Sequence, residues 1–163
     1  MRMGQGFDAH PLVVGRPLIL GGIRVDYPRG LQGDSDGDVL THAIIDAILG
    51  AMGAGDIGTW FRGDDPTVRG AASTDLLRRV MQMTAVRRCR VEFVDATVIG
   101  EEPKVRPLVP DIRNVLAPIL RIQPDSISIK ATTTDQMGWL GRKEGLAALA
   151  LVQLAPVNDA NSE

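Results

Sequence analysis

The stretch DVLTHAIIDAILGAM, residues Asp38–Met52, carries the clearest helical pattern in the sequence. Its apolar residues recur with the spacing of one helix face, at Val39, Ile44, Ala47, Ile48 and Ala51. This spacing predicts an amphipathic helix. Ser35 or Asp36 is its predicted N-cap, because a short polar side chain can accept a backbone N–H at that position.

Strand and helix patterns alternate on both sides of this helix. Residues 18–20 and 23–25 flank Gly21-Gly22, which predicts a β-hairpin. Residues 90–99 and 126–130 are predicted strands, and helices are predicted to begin near Ser73 and near Pro107, with Pro118 distorting the last turn of the second. Residues 146–154 fit either a helix or a buried strand. Residues 53–70 are rich in Gly, Asp and Pro, which predicts a long functional loop.

Length and composition indicate one domain with an aliphatic core. The chain has 163 residues, of which 44% are hydrophobic and only 4% aromatic. We expect an α/β (α+β) domain over residues 1–157 and a polar, disordered tail over residues 158–163, since the tail has nothing to bury.

Charge and cysteine content narrow the expected location and partners. A net charge of −2 provides no basic field for nucleic acid or an anionic membrane. The single Cys89 cannot form an internal disulfide. The sequence shows no signal peptide and no apolar run long enough to span a bilayer. We therefore expect a cytoplasmic protein that binds neither nucleic acid nor membranes.

Asp8, His10 and His42 form the main candidate metal site. Asp8 and His10 are two residues apart, so on an extended strand their side chains point the same way. A catalytic zinc uses three such oxygen and nitrogen ligands and keeps a fourth position open. Asp38 or Asp46, four residues either side of His42, could accept its second N–H. Each residue alone also fits a purely structural role.

Two further polar segments are candidate ligand sites. Residues 34–38 suggest a calcium loop, but the Gly and Glu that an EF-hand needs are replaced by Val39 and Ile45. Residues 132–135 could bind phosphate oxygens and a phosphate-bound Mg²⁺, or could form a threonine-rich turn. Trp139 and Arg142 could form an apolar and cationic recess or an oligomer contact.

Six ordered stretches together resemble the 2-C-methyl-D-erythritol 2,4-cyclodiphosphate synthase family of the non-mevalonate isoprenoid pathway. They are GFDAH (6–10), SDGDVLTHA (35–43), DAILGA (46–51), GDIG (55–58), KATTT (130–134) and GRKEG (141–145). Their order and spacing cover nearly the whole chain. The resemblance implies a ferredoxin-like single domain, with a mixed four-stranded sheet packed on helices and a short hairpin. It also implies a homotrimer with active sites between subunits.

The resemblance further implies a metal-dependent phosphorus–oxygen lyase. The 2-phosphate of 4-diphosphocytidyl-2-C-methyl-D-erythritol 2-phosphate would attack the β-phosphorus, close a cyclic diphosphate and expel CMP. Zn²⁺ on Asp8, His10 and His42 would polarise a diphosphate oxygen. A second divalent cation, Mg²⁺ or Mn²⁺, reached from Asp135, would bridge the substrate phosphates.

The same resemblance assigns roles to individual residues. Thr133 and Asp34 are the expected catalytic residues, residues 56–58 would contact the methylerythritol part, and residues 100–106 with 131–132 would hold cytidine from an adjacent subunit. Trp139 and Arg142 would line a central channel, with Glu144 pairing to Arg142. The expected substrate-binding residues are Asp8, His10, Asp34, Ser35, Asp56, Ile57, Gly58, Phe61, Asp65, Gly100, Pro103, Lys104, Val105, Arg106, Ala131, Thr132, Thr133, Thr134, Asp135, Trp139 and Arg142.

The chain departs from the family pattern at three places. Asp34 stands where the family usually has His, Arg62-Gly63 where it has Pro-Asp, and Asp135 where it has Glu. We hypothesise that Arg62 compensates the charge of Asp34 beside an anionic substrate.

Two other functions use the same residues. A zinc hydrolase or phosphatase would need a general base, for which Asp34, Asp38, Asp46 and Asp56 are the candidates. A non-catalytic trimeric module would bind an isoprenoid diphosphate without turnover.

Overall fold

The computed structural model describes residues 1–157, apart from the side chain of Val86. The strands are β1 Arg2–Val14, β2 Leu18–Leu20, β3 Ile23–Val25, β4 Arg29–Leu31, β5 Cys89–Ile99, β6 Ile127–Thr132 and β7 Gly145–Pro156. The helices are α1 Val39–Met52, α2 Ile57–Trp60, α3 Ser73–Val86, α4 Val109–Leu120 and α5 Gly138–Gly141, with 3-10 turns at Arg106–Leu108 and Pro124–Ser126. The tail at 158–163 lies outside the described residues, and the domain boundary at 157 stays a prediction.

A mixed sheet in the order β4-β1-β7-β5-β6 carries the helices on one face. Strands β5 and β6 are parallel, and the other pairs are antiparallel. The expected mixed α/β architecture with a short hairpin is confirmed, but the sheet has five strands where four were expected. The additional edge strand, β4, pairs with the end of β1. Because β4 has only three residues, its sequence is too short to show a strand periodicity.

Most predicted elements are confirmed within two residues. The hairpin of β2 and β3 turns at Gly21 and Gly22, which have positive φ of 59° and 80°. Residues 146–154 belong to strand β7, because that segment pairs on both sides, with β1 and β5. The predicted loop at 53–70 contains the short helix α2. Among residues 1–157, no helix combines the length and apolarity needed to cross a membrane.

Helix α1 is buried on nearly all sides, so the predicted amphipathic character is wrong. Twelve of its 14 residues are buried, because the helix lies between the sheet and α3. A helix that is apolar all round is typical of the interior of a domain. Helix α1 is therefore a fixed support for any side chain at its surface, including His42.

The N-cap of α1 is Asp38, so the prediction of Ser35 or Asp36 is wrong. The Asp38 carboxylate accepts the backbone N–H of Thr41 at 3.0 Å. It also accepts the N–H groups of Gly21 and Gly22 at 2.9 and 2.7 Å. These bonds join the hairpin to the start of the helix and satisfy a fully buried carboxylate.

Two glycines bring strand β1 unusually close to α1. A Cβ atom at Gly4 would lie 1.9 Å from the Ala47 carbonyl oxygen, and one at Gly6 would lie 2.0 Å from that of Ala43. Any side chain at these positions would push the helix away from the strand. This close packing places His42 of α1 directly beside the side chains of β1.

Candidate metal centre and substrate pocket

Strand β1 and helix α1 bring Asp8, His10 and His42 together. Asp8 Oδ2 lies 2.9 Å from His10 Nε2 and 3.0 Å from His42 Nδ1. The two ring nitrogens are 3.1 Å apart. Asp8 and His10 share one face of β1 because they are two residues apart on an extended strand. The three candidate ligand atoms all lie within 4.8 Å of one another.

These three residues fit a metal ion by their chemistry and by their orientation. The nitrogens of His10 and His42 that point away from the cluster bond elsewhere, to the backbone at Gln32 and to two serine hydroxyls. Metal-binding histidines usually have such a partner, because it fixes the tautomer and the ring orientation. Two imidazole nitrogens and one carboxylate oxygen form a ligand set that Zn²⁺ accepts.

Charge interactions within the cluster perturb two of its groups. Burial acts to raise the pKa of the Asp8 carboxyl, but the hydrogen bonds from His10 and His42 outweigh it and hold that pKa well below its usual range. Burial acts to lower the pKa of His10, but the hydrogen bond to Asp8, the charge of Asp8 and a backbone bond at Gln32 together outweigh it and raise that pKa. Asp8 therefore keeps a negative charge that attracts a cation.

The metal centre opens into a cavity of about 480 Å³, within the range of small-molecule sites. Five predicted substrate-binding residues line it beside the metal group. They are Asp34, Ser35, Ile57, Gly58 and Phe61. Phe61, Val68 and Leu76 are buried and supply an apolar wall, while Asp34 and Arg62 supply charge at the mouth.

Two predicted contacts, Asp56 and Asp65, do not line this cavity. The Asp56 carboxylate caps helix α2 by accepting the Thr59 N–H at 2.8 Å and its hydroxyl at 2.7 Å. The Asp65 carboxylate accepts the corresponding two groups of Thr67, both at 2.8 Å. These bonds lower the pKa of both exposed carboxyls. In this structure both acids shape the loop at 53–70.

The structure pairs Arg62 with Asp64 at 3.0 Å, so Arg62 makes no direct ion pair with Asp34. Asp34 lies instead against Gly63, where an added Cβ would be 2.1 Å from its Oδ2. Two departures from the family pattern, Asp34 and Gly63, are therefore sterically coupled. An aspartate at residue 63 would bring a second carboxylate against the first.

The prediction that Asp38 or Asp46 bonds to His42 is wrong. Asp38 caps α1, and Asp46 accepts the Ile57 N–H at 2.7 Å. His42 Nε2 instead lies 3.0 Å from Ser35 Oγ and 2.8 Å from Ser73 Oγ. Ser73 is fully buried at the start of α3, 31 residues away along the chain. Helical spacing around His42 could not identify a partner on another element.

Arg16 is a second residue that the sequence patterns missed. Its guanidinium donates to the Gly33 carbonyl at 2.8 Å and to the Ser35 carbonyl at 2.6 Å. These two bonds fix the position of the segment from which Asp34 and Ser35 line the cavity. Arg16 lies in the connection after β1, where no motif marked it.

Apart from Trp139 on α5 and Arg142 at its end, the remaining predicted residues form a separate group, which we call the threonine edge: residues 100–106 and 131–136. The backbone joins the two segments, with the Gly100 N–H bonding the Thr132 carbonyl at 3.0 Å. Glu101 Oε1 accepts the N–H groups of Thr134 and Gln136, each at 3.1 Å. None of these residues lines the cavity at the metal centre.

Side chains of the threonine edge differ in exposure. Those of Lys104, Arg106, Ala131, Thr132, Thr133 and Asp135 are exposed, whereas Val105 is buried in the core and could offer only its backbone to a ligand. Asp135 belongs to no metal-type group among residues 1–157. Nearby, Arg142 pairs with Glu144 at 2.6 Å, as predicted.

The fold and the site define a mixed α/β protein with a candidate metal centre where strand β1 meets the buried helix α1. The profile of the YgbB family matches residues 1–155. The chain therefore belongs to the YgbB family.

Curated relatives match this chain over nearly their full length. The 2-C-methyl-D-erythritol 2,4-cyclodiphosphate synthase of Symbiobacterium thermophilum is 50% identical over 155 residues, covering 95% of this chain and 99% of the relative. The synthase of the same name from Geobacter metallireducens is 52% identical over 152 residues, covering 93% and 97%.

Solved structures share the fold closely. The bifunctional IspDF of Campylobacter jejuni superimposes with a TM-score of 0.91 at 37% identity, covering 95% of this chain and 42% of that longer chain. The IspF–CDP complex of Plasmodium falciparum superimposes with a TM-score of 0.85 at 32% identity, covering 96% and 97%.

Proposed function

We propose that this protein converts 4-diphosphocytidyl-2-C-methyl-D-erythritol 2-phosphate to 2-C-methyl-D-erythritol 2,4-cyclodiphosphate and CMP. The observation that carries the proposal is the convergence of Asp8 Oδ2, His10 Nε2 and His42 Nδ1 at a cavity of substrate size. Family membership and relatives named for this synthase support the same assignment.

The metal in this proposal is zinc, held by Asp8, His10 and His42. When bound, it supplies a Lewis acid for a phosphate oxygen. Asp8 contributes the negative charge, and the two imidazoles are already oriented by their outer hydrogen bonds. These residues come from a strand and a buried helix, so the site is rigid before the substrate arrives.

The protein's part in the reaction is to position the substrate and exclude water. The attacking oxygen belongs to the substrate's own 2-phosphate, so no protein nucleophile is required. The apolar wall of Phe61, Val68 and Leu76 suits the carbon skeleton of methylerythritol. Arg16 holds the segment of Asp34 and Ser35 in place at the mouth.

The threonine edge would bind the cytidine and phosphate parts of the substrate. Its support is the exposed hydroxyl and backbone groups of residues 131–134, together with relatives solved with CDP. Thr133 would steady the phosphates, and Asp135 would be a ligand of the second cation, Mg²⁺ or Mn²⁺, which would neutralise charge on the substrate phosphates.

The functional unit in this proposal is a homotrimer with each active site shared by two neighbours. Within one chain, no residue of the threonine edge lines the metal cavity. The sheet face opposite the helices also exposes a row of large apolar side chains: Met3, Phe7, Phe93 and Leu151. Several large apolar side chains exposed on one sheet face mark a candidate interaction surface, and neighbouring copies would cover it.

A cytoplasmic location completes the proposal. Cys89 is a free thiol, which a reducing compartment preserves. The residues of the site also need no disulfide to hold them.

Phosphorus NMR of the products tests the proposed reaction. Zinc-loaded protein with Mg²⁺ and the cytidylylated substrate should give CMP and one cyclic diphosphate, with no inorganic phosphate. Asp8→Asn should reduce turnover by about 100-fold or more, since losing a ligand exceeds the ~10–100-fold effect of losing a ligand's partner. Asp75→Asn, an exposed acid on α3, is the matched control and should retain full turnover.

Other products would contradict the proposal. An open-chain phosphate product would assign a hydrolase, and binding without turnover would assign a non-catalytic module. Either result from the zinc-loaded wild type overturns the cyclisation.

A further inference from the structure

A buried hydrogen-bond chain leads away from the candidate metal centre. His42 Nε2 lies 2.8 Å from Ser73 Oγ, and the Ser73 hydroxyl makes a short bond to Asp36 Oδ1. His42 is 7% exposed and Ser73 is fully buried. The Ser73 N–H also donates to Asp36 Oδ2 at 2.9 Å, so Asp36 binds this serine through both carboxylate oxygens.

The direction of this chain follows from what each group can donate. An ionised carboxylate only accepts hydrogen bonds, so the single hydroxyl proton of Ser73 goes to Asp36. Ser73 Oγ then has only lone pairs left for His42. The proton between them must therefore belong to the imidazole, on Nε2.

This direction determines which nitrogen of His42 faces the metal group. Nε2 then keeps its proton when a metal ion is bound, and the nitrogen left for the metal is Nδ1, the atom that lies 3.0 Å from Asp8 Oδ2. Ser35 Oγ, 3.0 Å from Nε2, cannot impose this direction. Its hydroxyl can donate or accept, and neither Asp36 oxygen holds it.

We propose that Asp36 and Ser73 are positioning residues that hold His42 in the Nε2–H form, so that Nδ1 is available to bind the metal. Neither residue touches the cavity. The inference rests on the proposed metal centre but not on the reaction that follows.

Zinc affinity, measured by competition with a chelator at neutral pH, tests the chain directly. Ser73→Ala removes the directed acceptor and should weaken zinc binding by about 10-fold, at the lower end of the range for partners of metal ligands. Asp36→Asn should have a similar effect. The Asp36 carboxylate accepts from both the hydroxyl and the backbone N–H of Ser73. An asparagine amide has only one oxygen, so its NH₂ group would face one of these two donors and that hydrogen bond would be lost. Ser73→Thr keeps the hydroxyl and should bind zinc within about 3-fold of wild type.

The matched control is Thr84→Ala. It removes another buried hydroxyl from the same helix, whose bond is to the Met81 carbonyl. It should lower the free energy of unfolding as Ser73→Ala does, yet leave zinc affinity unchanged. The double variant Asp36→Asn/Ser73→Ala should bind zinc within about 2-fold of Ser73→Ala alone, because linked residues are not additive.

A spectroscopic readout separates positioning from simple stabilisation. Since the chain has only two histidines, ¹⁵N-histidine labelling of the zinc-bound protein gives four ring nitrogens. His42 Nε2–H should exchange slowly with solvent in the wild type and in Thr84→Ala. It should exchange at least about 10-fold faster in Ser73→Ala, because its directed acceptor is gone.

The outcomes distinguish this inference from the proposed function. If the wild type binds zinc and cyclises its substrate but Ser73→Ala and Asp36→Asn match Thr84→Ala in affinity and exchange, the positioning role is wrong. If the wild type binds no zinc at this group, the metal centre itself is wrong and the inference falls with it.

Discussion

The metal centre and the threonine edge are built in opposite ways. Asp8, His10 and His42 are at least half-buried, and each is held by hydrogen bonds from within the same chain. The threonine edge exposes its side chains, and Glu101 fixes mainly its backbone. The three residues of the metal centre are held in place within one chain and can bind a metal ion without a second subunit. An exposed edge needs a second surface, which supports the proposal that a neighbouring copy completes the site.

Removing the metal should have the largest effect on turnover and should separate the metal centre from the threonine edge. Dialysis against a chelator should abolish turnover, because the three ligands lie at the proposed reaction centre. Adding zinc should restore turnover, whereas Mg²⁺ alone should not, since Mg²⁺ prefers oxygen ligands over imidazole. Titration of nucleotide binding should show that the threonine edge still binds CDP in the metal-free protein. Full activity after verified zinc removal would contradict the metal centre.

Glu101→Ala should damage the threonine edge alone. It removes the acceptor for the Thr134 and Gln136 N–H groups and should lower kcat/KM by roughly 10-fold, the effect of losing about one charged hydrogen bond. Zinc affinity should stay at the wild-type value. Glu92→Ala, which removes an exposed acid paired with Arg90, is the control for lost charge. A zinc affinity that falls with Glu101→Ala would mean that the two groups are not independent.

Arg16→Ala should loosen one wall of the metal cavity. Loss of its two bonds to the Gly33 and Ser35 carbonyls should raise KM several-fold and lower the free energy of unfolding by about 1–3 kcal/mol. Arg16→Lys should recover only part of the loss, because a single ammonium cannot reproduce the guanidinium fork. Arg24→Ala is the control on the same hairpin region. Urea unfolding and steady-state kinetics measure both effects.

The contact between Asp34 and Gly63 should give the smallest effect. Gly63→Ala places a Cβ against the Asp34 carboxylate and should raise KM a few-fold. In the Asp34→Ala background the same change should cost nothing, because its neighbour is gone. A coupling of roughly 0.5–1 kcal/mol in the double-mutant cycle is expected. Strict additivity would show that the loop moves away freely.

Much of this fold can be predicted from local patterns. The alternation in β5 and β6 places those strands within two residues of their observed ends, and the helical pattern of α3 places its start at Ser73. Local patterns do not distinguish helix from strand where pairing with distant segments decides the structure. Residues 146–154 have helix-forming Leu and Ala, yet form β7 because strands lie on both sides.

The site was predictable where spacing along one element fixes it. The i, i+2 spacing of Asp8 and His10 placed both on one strand face, and the family motifs added His42. Partners from distant elements could not be predicted from spacing. Ser73 reaches His42 from another helix, Arg16 reaches Gly33 and Ser35 from a loop, and Asp38 turned out to cap α1. Such contacts depend on how closely the elements pack, which Gly4 and Gly6 determine here.

Mixing two inactive variants tests the shared site most directly. Asp8→Asn disables the metal centre, and Thr133→Ala combined with Glu101→Ala disables the threonine edge. Each variant alone should be inactive. Co-refolded in equal amounts, they should regain about one quarter of wild-type turnover, since in a closed ring each site draws its two halves at random from neighbouring copies. Mixed oligomers that remain inactive would contradict the account, because a site built within one chain always contains one damaged half.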